Sequence, residues 1–276
     1  MSLAPHTILQ SRYEIIRVVG QGGLGAVYEA VDQRLQARVA IKQLIDRGIG
    51  GAEAFEREAR LLSKLRHANL PRVSDHFSEA AGQFLVMDFV EGPDLGEVLD
   101  RRGAPLEIRQ ALDALDQLLG VLEYLHGHAP PIVHRDIKPA NIKLSAGGEL
   151  MLLDFGLAKG HSATQNLSVM GYTPHYAPLE QMQSGGTDVR SDLYAVAATA
   201  YHLLAGQPPA DALTRAAASV RGRPDPLVDP SDVNPAIPRS LDAAITRNLS
   251  QDPDRRHPSA RALRQTLRAI RPPAAA

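Results

Sequence analysis

Two stretches decide the fold of this chain: HRDIKPAN at residues 134–141 and DFG at residues 154–156. The first places the carboxylate Asp136 between a histidine and a lysine and ends on the amide Asn141. The second begins with another carboxylate, Asp154. Either stretch alone could arise by chance. Their interpretation depends on which other motifs the preceding chain contains.

A glycine run, GQGGLG at residues 20–25, matches the pattern G-x-G-x-x-G. In a dinucleotide-binding unit this pattern opens a helix and is followed about 20 residues later by an acidic residue. Here residues 26–31 are rich in β-branched and aromatic side chains, which favours a strand, and the later position holds Lys42. We therefore predict that the glycines join two strands as a flap, whose backbone can lie close to phosphates because no Cβ intervenes.

Lys42 ends a short apolar run. An ammonium on an apolar strand needs an anionic partner or loses its charge. Glu58 is a candidate partner within a predicted helix over residues 53–66. It follows Phe55 by three residues and precedes Leu62 by four, which places it on the inward stripe. The alternatives are that Lys42 is a solvated strand end and that Glu58 only borders the stripe.

The chain changes character near residue 90. Before it, four strands are predicted, at residues 13–19, 26–31, 38–44 and 83–89, together with the one helix. After it, helical patterns dominate, with ends predicted at Gly127 and Gly206 and a last helix capped by Ser259. We interpret the proline-rich stretch 224–238 as a long loop within the larger, helical part.

Composition excludes several classes of protein. The 276 residues are 44% hydrophobic and 22% charged, which is globular rather than disordered. A net charge of −1 offers no field for nucleic acid, so no nucleic-acid partner is expected. The absence of cysteine excludes disulfides, iron–sulfur clusters and cysteine nucleophiles. We find no membrane segment or export signal in the sequence and expect a cytoplasmic location.

With these stretches in this order, the chain resembles the protein-kinase family, specifically the bacterial (Hanks-type) serine/threonine kinases, from about Tyr13 to Ile270. The resemblance implies an α+β, bilobal protein-kinase fold. A small, mainly β N-lobe with one regulatory helix would span residues 13–89, and the hinge and a larger, mainly α C-lobe would span residues 90–270. Residues 1–12 and 271–276 would be terminal extensions.

The same resemblance implies a phosphotransferase that moves the γ-phosphate of ATP to serine and threonine hydroxyls of protein substrates, with Mg²⁺ or else Mn²⁺ as the metal. Lys42 would hold the α- and β-phosphates and be oriented by Glu58. The backbone over the phosphates would come from Gly20, Gly22 and Gly25. The contacts to adenine, hinge and ribose would come from Val27, Ala40, Met87, Asp88, Val90 and Asp94.

The resemblance also assigns the catalytic roles. Asp136 would accept the proton of the attacking hydroxyl, and Lys138 would steady the γ-phosphate. The hard oxygen ligands of the metal would be Asn141 and Asp154. Thr173 resembles the family's threonine that bonds the catalytic Asp and Lys. The D-x-K-x-x-N form at residues 136–141 favours serine and threonine over tyrosine as the acceptor.

Other residues resemble the family's structural positions. A stack between the lobes would include Leu62, Val73, His134 and Phe155, anchored by Asp192. Glu180 and Arg256 would form a buried ion pair. On this basis His134 is not a general base, and the pair His126 and His128 does not predict a metal site.

Three positions depart from the family pattern. Leu179 stands inside the usual Ala-Pro-Glu, with Glu180 keeping its role. Lys143 stands where an apolar residue usually lies beneath adenine; its methylenes could pack there with the ammonium turned outward. Ala197 replaces a common glycine.

Arg135 directly precedes Asp136, and such an arginine pairs in the family with a phosphorylated residue of the activation segment. We predict autophosphorylation at Thr164 or Ser168, with a kinase–kinase dimer as a candidate assembly. The alternative is that these hydroxyls are merely solvated.

Two other functions remain open from the sequence. A pseudokinase would keep the fold as a nucleotide-binding or interaction module, and it usually lacks the lysine or one of the two aspartates that this chain retains. A small-molecule phosphotransferase is disfavoured by Lys138 and by the segment around Glu180.

Overall fold

The computed structural model describes residues 2–22, 25–44, 51–145, 147–154, 174–182 and 186–270, without the side chains of residues 51–55 and of Glu58. These residues form two compact units, and the chain passes from one to the other between Glu91 and Gly92. We call them the N-terminal unit, up to Glu91, and the C-terminal unit, from Gly92 onward.

The N-terminal unit is built on an antiparallel six-stranded sheet with the strand order β1-β2-β3-β4-β6-β5. Its strands are β1 Ile8–Leu9, β2 Tyr13–Gly22, β3 Gly25–Asp32, β4 Ala37–Leu44, β5 Val73–Glu79 and β6 Gly82–Asp88. The four predicted strands are confirmed. The two edge strands were not predicted, because β1 has only two residues and β5 turns mostly polar side chains outward.

One face of this sheet carries the apolar core of the N-terminal unit. Tyr28, Ile41 and Phe84 are fully buried there. The phenol of Tyr28 remains satisfied, since its hydroxyl donates to Oε1 of Gln43 at 2.6 Å. Because side chains alternate along a strand, the residues between these core positions point to the opposite face.

Helix α1, Gly51–Leu62, is shorter at its end than the predicted helix over residues 53–66. Two local groups satisfy carbonyls that a longer helix would bond. The Ser63 hydroxyl donates to the Arg60 carbonyl at 3.0 Å, and the Arg66 guanidinium donates to the Ser63 carbonyl at 2.7 Å. On the surface of α1, Arg60 pairs with Glu56 one turn earlier at 2.6 Å.

The C-terminal unit is mainly helical. Its helices are α2 Leu95–Arg102, α3 Ile108–His126, α4 Leu179–Met182, α5 Val189–Ala205, α6 Ala212–Val220, α7 Pro230–Val233, α8 Arg239–Asn248 and α9 Ala260–Ile270. A hairpin of β7 Ile142–Leu144 and β8 Leu150–Leu152 packs against α3. No helix within the described residues is long and apolar enough to cross a bilayer.

Helix α5 is the central element of the C-terminal unit, since it is buried on all sides from Ser191 to Tyr201. It ends as predicted at Gly206, which adopts a φ of 74° and donates its N–H to the His202 carbonyl at 2.9 Å. The predicted cap of α9 is also present, with the Ala262 N–H donating to the Ser259 hydroxyl at 3.2 Å. The proline-rich stretch forms part of this unit and contains the one-turn helix α7.

An ionic cluster joins α9 to α3. Asp116 accepts hydrogen bonds from Arg264 at 3.0 Å and from Arg268 at 2.5 Å. The two guanidiniums, that of Arg268 first, hold the pKa of Asp116 well below its usual range. A carboxyl whose pKa is depressed by folding stabilises the fold above its unfolded pKa of about 4, and this stabilisation is lost as the pH falls below that value.

We predict that Asp116→Asn lowers the free energy of unfolding at pH 7 by about 1–3 kcal/mol, because it removes charge-assisted hydrogen bonds that tie two helices together. Urea unfolding measures the change. Glu97→Gln, in an exposed pair with Arg101, is the control and should change stability by less than about 0.5 kcal/mol. If the difference in the free energy of unfolding between wild type and Asp116→Asn is as large at pH 3 as at pH 7, the stabilisation by Asp116 is not ionic.

Candidate active site

A buried carboxylate holds the backbone of the stretch at residues 134–141. Asp192, on the first turn of α5, accepts hydrogen bonds from the N–H of His134 at 2.8 Å and from that of Arg135 at 2.9 Å. His126 Nε2 lies 2.9 Å from the same carboxylate, whose side chain has 0% exposure. Arg135 has a φ of 66°, which is uncommon for a non-glycine residue. The stretch therefore depends on tertiary contacts rather than on its own secondary structure.

Three polar side chains converge beyond this anchor. The Nδ2 of Asn141 donates to Oδ2 of Asp136 at 2.9 Å and to the Asp136 carbonyl at 2.7 Å. The Lys138 ammonium lies 3.3 Å from the same Oδ2. Two donors on one oxygen fix the rotation of the Asp136 carboxylate. The structure thus brings together the three predicted residues Asp136, Lys138 and Asn141.

The β7–β8 hairpin relates Asn141 to Asp154. Asn141 immediately precedes β7, and its carbonyl accepts from the Leu153 N–H at 2.8 Å. Asp154 comes next in the chain with a φ of 55°. The charges of both Asp136 and Asp154 act on the ring of His134, so all three side chains lie in one region of the C-terminal unit.

His134 is fully buried, and its surroundings explain why it is a structural residue. Burial lowers the pKa of His134, against the opposing attraction of the Asp192, Asp136 and Asp154 carboxylates. A neutral imidazole with no exposed surface has no access to a substrate proton. This agrees with our interpretation that His134 is not a general base.

The donors near Asn141 and Asp154 suit a magnesium ion. The amide nitrogen of Asn141 is engaged by Asp136, so its oxygen is the atom suited to coordinate a metal. Asp154 adds a carboxylate. Over the part of the chain that the structure describes, no group of three or more His, Asp or Glu could hold a metal by itself. Mg²⁺ needs no such group, because it binds one or two carboxylates and completes its coordination with water and substrate phosphates.

In the N-terminal unit, strand register collects most of the predicted nucleotide-binding side chains on one sheet face. Val27 lies opposite Lys42, and Ala40 lies opposite Met87. Ala40 and Lys42 are two residues apart on β4, and residues opposite each other or two apart share a face. These four side chains are half-buried on the face opposite the apolar core.

The glycines at the β2–β3 turn differ in what their backbone requires. Gly22 pairs with Gly25, which confirms that the run joins two strands rather than opening a helix. A Cβ on Gly25 would lie 1.9 Å from the Gln43 carbonyl oxygen, so sheet packing alone demands glycine there. Gly20 pairs with Val27, and a Cβ on it would meet no atom of the described chain within 4 Å. Packing thus leaves the choice of glycine at position 20 unexplained, whereas a ligand would account for it.

Three further residues predicted to contact the nucleotide lie within a few residues of Glu91 and Gly92 in the sequence. Asp88 is exposed, and its Oδ2 accepts from the Arg72 N–H at 2.9 Å; Val90 follows, half-buried. Asp94 caps α2, accepting from the Glu97 N–H at 2.9 Å, and burial raises the pKa of Asp94. Its backbone also bridges to Lys143.

Some predicted residues are not tested by these contacts. Thr173, Phe155 and the candidate phosphorylation sites Thr164 and Ser168 lie outside the described residues. Glu58 lies on α1, but its side chain is outside the description, so its pairing with Lys42 stays a prediction.

The predicted ion pair between Glu180 and Arg256 is confirmed. Arg256 Nη1 lies 2.6 Å from Glu180 Oε1, and Nη2 lies 3.1 Å from Oε2. The Arg256 side chain has 0% exposure and that of Glu180 17%. The Ser191 hydroxyl donates to Glu180 at 2.9 Å. The pair therefore ties α4 to α5 and to the segment before α9.

Two contacts of the stretch at residues 134–141, and one contact of its anchor Asp192, were not predicted from the sequence. His126 contacts Asp192 rather than a metal. Gln181 donates to the Arg135 carbonyl at 2.8 Å, and the Arg135 Nε donates to the Thr187 hydroxyl at 2.8 Å. The only sequence signal for the His126 contact was a polar residue next to an apolar helical stripe. Nothing in the sequence indicated the contacts of Gln181 and Thr187 with Arg135.

Over residues 13–267 the chain matches the family described as "Protein kinase domain", and it belongs to that family. It is 37% identical over 279 residues to the serine/threonine-protein kinase PksC of Streptomyces coelicolor, covering 95% of this chain and 49% of that protein. It is 36% identical over 254 residues to the serine/threonine-protein kinase PknA of Mycobacterium tuberculosis, covering 87% and 58%. The chain thus spans about half the length of these curated relatives.

Solved structures give the same fold. The PknI kinase domain of Mycobacterium tuberculosis matches with a TM-score of 0.77 and 26% identity, covering 98% of this chain and 100% of that one. The structure named PpkA-294 apo form matches with a TM-score of 0.79 and 25% identity, covering 96% and 99%. The predicted α+β protein-kinase fold is confirmed.

We predict that Arg256→Met lowers the free energy of unfolding by about 3–5 kcal/mol, because Glu180 is left without its charged partner. The double variant Glu180→Leu/Arg256→Met should lose less than the sum of the two single changes, as a double-mutant cycle of urea unfolding would show. Arg255→Met is the matched control, since Arg255 is 79% exposed and pairs only at 3.6 Å with Asp252. Additive single effects would contradict the coupling.

Proposed function

We propose that this chain is the catalytic domain of an ATP- and Mg²⁺-dependent serine/threonine protein kinase. The single observation that carries the proposal is the convergence of Lys138 and Asn141 on one oxygen of Asp136. Membership of the protein kinase family supports it, as do relatives named serine/threonine-protein kinases.

The proposed chemistry is the transfer of the γ-phosphate of ATP to a protein hydroxyl, in which positioning and charge stabilisation supply most of the acceleration. Asp136 would orient the hydroxyl and accept its proton, with the rotation of its carboxylate fixed by Asn141. Lys138 would offset charge on the transferred group, since its ammonium lies 3.3 Å from Oδ2 of Asp136. Thr173 would bond Asp136 and Lys138, as the family resemblance implies.

The nucleotide would be bound by residues of the N-terminal unit and by Asp94. Lys42, oriented by Glu58, would contact the phosphates beneath the backbone of Gly20, Gly22 and Gly25. The adenine and ribose contacts would come from Val27, Ala40, Met87, Asp88, Val90 and Asp94. Asn141 and Asp154 would hold Mg²⁺, which would supply positive charge to the phosphates, and Mn²⁺ would suit the same oxygen donors.

The proposed acceptors are serine and threonine hydroxyls of proteins, for which Lys138 and the names of the relatives are the support. Because the donor is ATP, the proposed location of the reaction is the cytoplasm. A dimer of two copies is the proposed assembly for autophosphorylation.

We also propose control by phosphorylation at Thr164 or Ser168, with the phosphate bound by Arg135. The support is the placement of Arg135 beside Asp136 and its contact with a neutral hydroxyl, that of Thr187. A phosphate with nearly two negative charges would bind a guanidinium more strongly than a hydroxyl does.

We predict that wild-type protein transfers label from γ-labelled ATP to itself and to a generic protein, and that Asp136→Asn lowers this transfer by about 10²–10⁴-fold because the general base is lost. Asp232→Asn, at an exposed carboxylate, is the matched control and should retain activity. Phosphoamino-acid analysis should give phosphoserine and phosphothreonine, and peptide mapping should place label within residues 160–172.

Three results would contradict these proposals separately. Label found only on a small metabolite would identify a small-molecule phosphotransferase. Nucleotide binding without any transfer would identify a pseudokinase. Active protein carrying no phosphate within residues 160–172 would exclude the proposed control while leaving the activity in place.

A further inference from the structure

The side chain of Gln117, on α3, forms hydrogen bonds with the backbone at the start of strand β8. It sits half-buried in the middle of α3. Its Nε2 donates to the Gly148 carbonyl at 2.8 Å, and its Oε1 accepts from the Leu150 N–H at 2.9 Å. A side-chain amide thus forms two hydrogen bonds with the backbone of one short segment at the start of β8.

These two backbone groups belong to the edge of β8 that faces away from β7. The Glu149 carbonyl accepts from the Ser145 N–H at 2.9 Å, so Glu149 points toward the β7 side. Backbone groups alternate in direction along a strand, so those of Leu150 point to the other side. Gly148 lies in the turn before β8, where its N–H donates to the Ser145 carbonyl at 2.9 Å while its own carbonyl faces Gln117. A third strand would satisfy these two backbone groups with one peptide N–H and one C=O. The amide of Gln117 supplies the same pair of groups.

The hairpin itself is short. Each strand has three residues, and isolated two-stranded hairpins are at best marginally stable. Its buried side chains, Ile142, Leu150 and Leu152, provide non-directional packing. The two bonds from Gln117 add direction, because they fix where β8 lies along α3.

The hairpin also carries the proposed metal ligands at its open end. Asn141 precedes β7, and Asp154 follows β8 by two residues. The Leu153 N–H to Asn141 carbonyl bond, 2.8 Å, closes that end. Asn141 is also held from outside the hairpin by its two hydrogen bonds to Asp136, so a shift of β8 along α3 would move Asp154 relative to Asn141.

We infer that Gln117 is a positioning residue, which sets the separation of the Asn141 and Asp154 oxygens by holding β8 in register on α3. This inference rests on the proposed function only for the role of those oxygens as metal ligands. Gln117 contacts neither of them, so its effect passes through the hairpin backbone. Loss of outer partners of metal ligands commonly weakens metal binding about 10–100-fold, and a more remote residue should have a smaller effect.

The test compares wild type with Gln117→Leu, which keeps the size of the side chain but loses both hydrogen bonds. Gln117→Glu is the second variant, since a carboxylate still accepts from Leu150 but cannot donate to Gly148. Gln110→Leu is the matched control on the same helix, because Gln110 is exposed and accepts a hydrogen bond from the side chain of Arg102 at 3.4 Å. Each protein is assayed by amide hydrogen exchange, by Mn²⁺ binding in the presence of a non-hydrolysable ATP analogue, and by the Mg²⁺ dependence of phosphate transfer.

We expect Gln117→Leu to speed exchange at the Leu150 and Leu153 amides and to weaken Mn²⁺ binding and raise the half-saturating Mg²⁺ concentration by about three- to tenfold. The kcat at saturating Mg²⁺ should change less than twofold, and Gln117→Glu should lie between wild type and Gln117→Leu. Unchanged exchange at Leu153, or faster exchange with unchanged metal affinity, would overturn the inference. A wild-type protein that binds Mn²⁺ and nucleotide but transfers no phosphate would refute the proposed activity and leave the positioning role standing on exchange and binding.

Discussion

The structure of the C-terminal unit depends on one buried carboxylate, Asp192. Burying a charge costs free energy unless the charged group is fully hydrogen-bonded. The two oxygens of Asp192 accept hydrogen bonds from the N–H groups of His134 and Arg135, and one of them faces His126. The cost is offset further by position, because Asp192 lies in the first turn of α5, where the helix dipole favours negative charge. An irregular stretch of backbone thereby becomes as fixed as the helix that anchors it.

Helix α5 acts as a platform for two polar networks that begin at neighbouring residues. Asp192 holds the stretch at residues 134–141, while Ser191 contacts Glu180, which pairs with the buried Arg256. Both residues are almost fully buried at one end of a helix whose middle is buried on all sides. A buried polar network costs free energy when some of its groups lack hydrogen bonds, so each group restricts where its partners can lie. The packing of α5 therefore determines the geometry around Asp136.

Much of this arrangement could be predicted from the sequence, and what could not follows a pattern. Strand alternation, helix ends such as Gly206 and the motif at residues 134–141 are local features, and each was predicted correctly. The pair of Glu180 with Arg256 came from family resemblance, since nothing local links residues so far apart. The contacts of His126 and Gln117 were missed because a polar residue beside an apolar stripe does not reveal its partner. The end of α1 was misplaced because the Ser63 hydroxyl satisfies the Arg60 carbonyl near the end of the helix and Arg66 satisfies the Ser63 carbonyl just beyond it, which a periodicity argument ignores.

A crystal structure of the Asp192→Asn protein, compared with that of the wild type, tests the dependence on this carboxylate most directly. An asparagine has nearly the same shape, but its amide nitrogen cannot accept a hydrogen bond from a backbone N–H. We expect the backbone at His134 and Arg135 to move and the contact between Asp136 Oδ2 and Asn141 Nδ2, 2.9 Å in the present structure, to open. A variant in which Asp136, Lys138 and Asn141 keep their wild-type positions would show that packing alone holds this stretch.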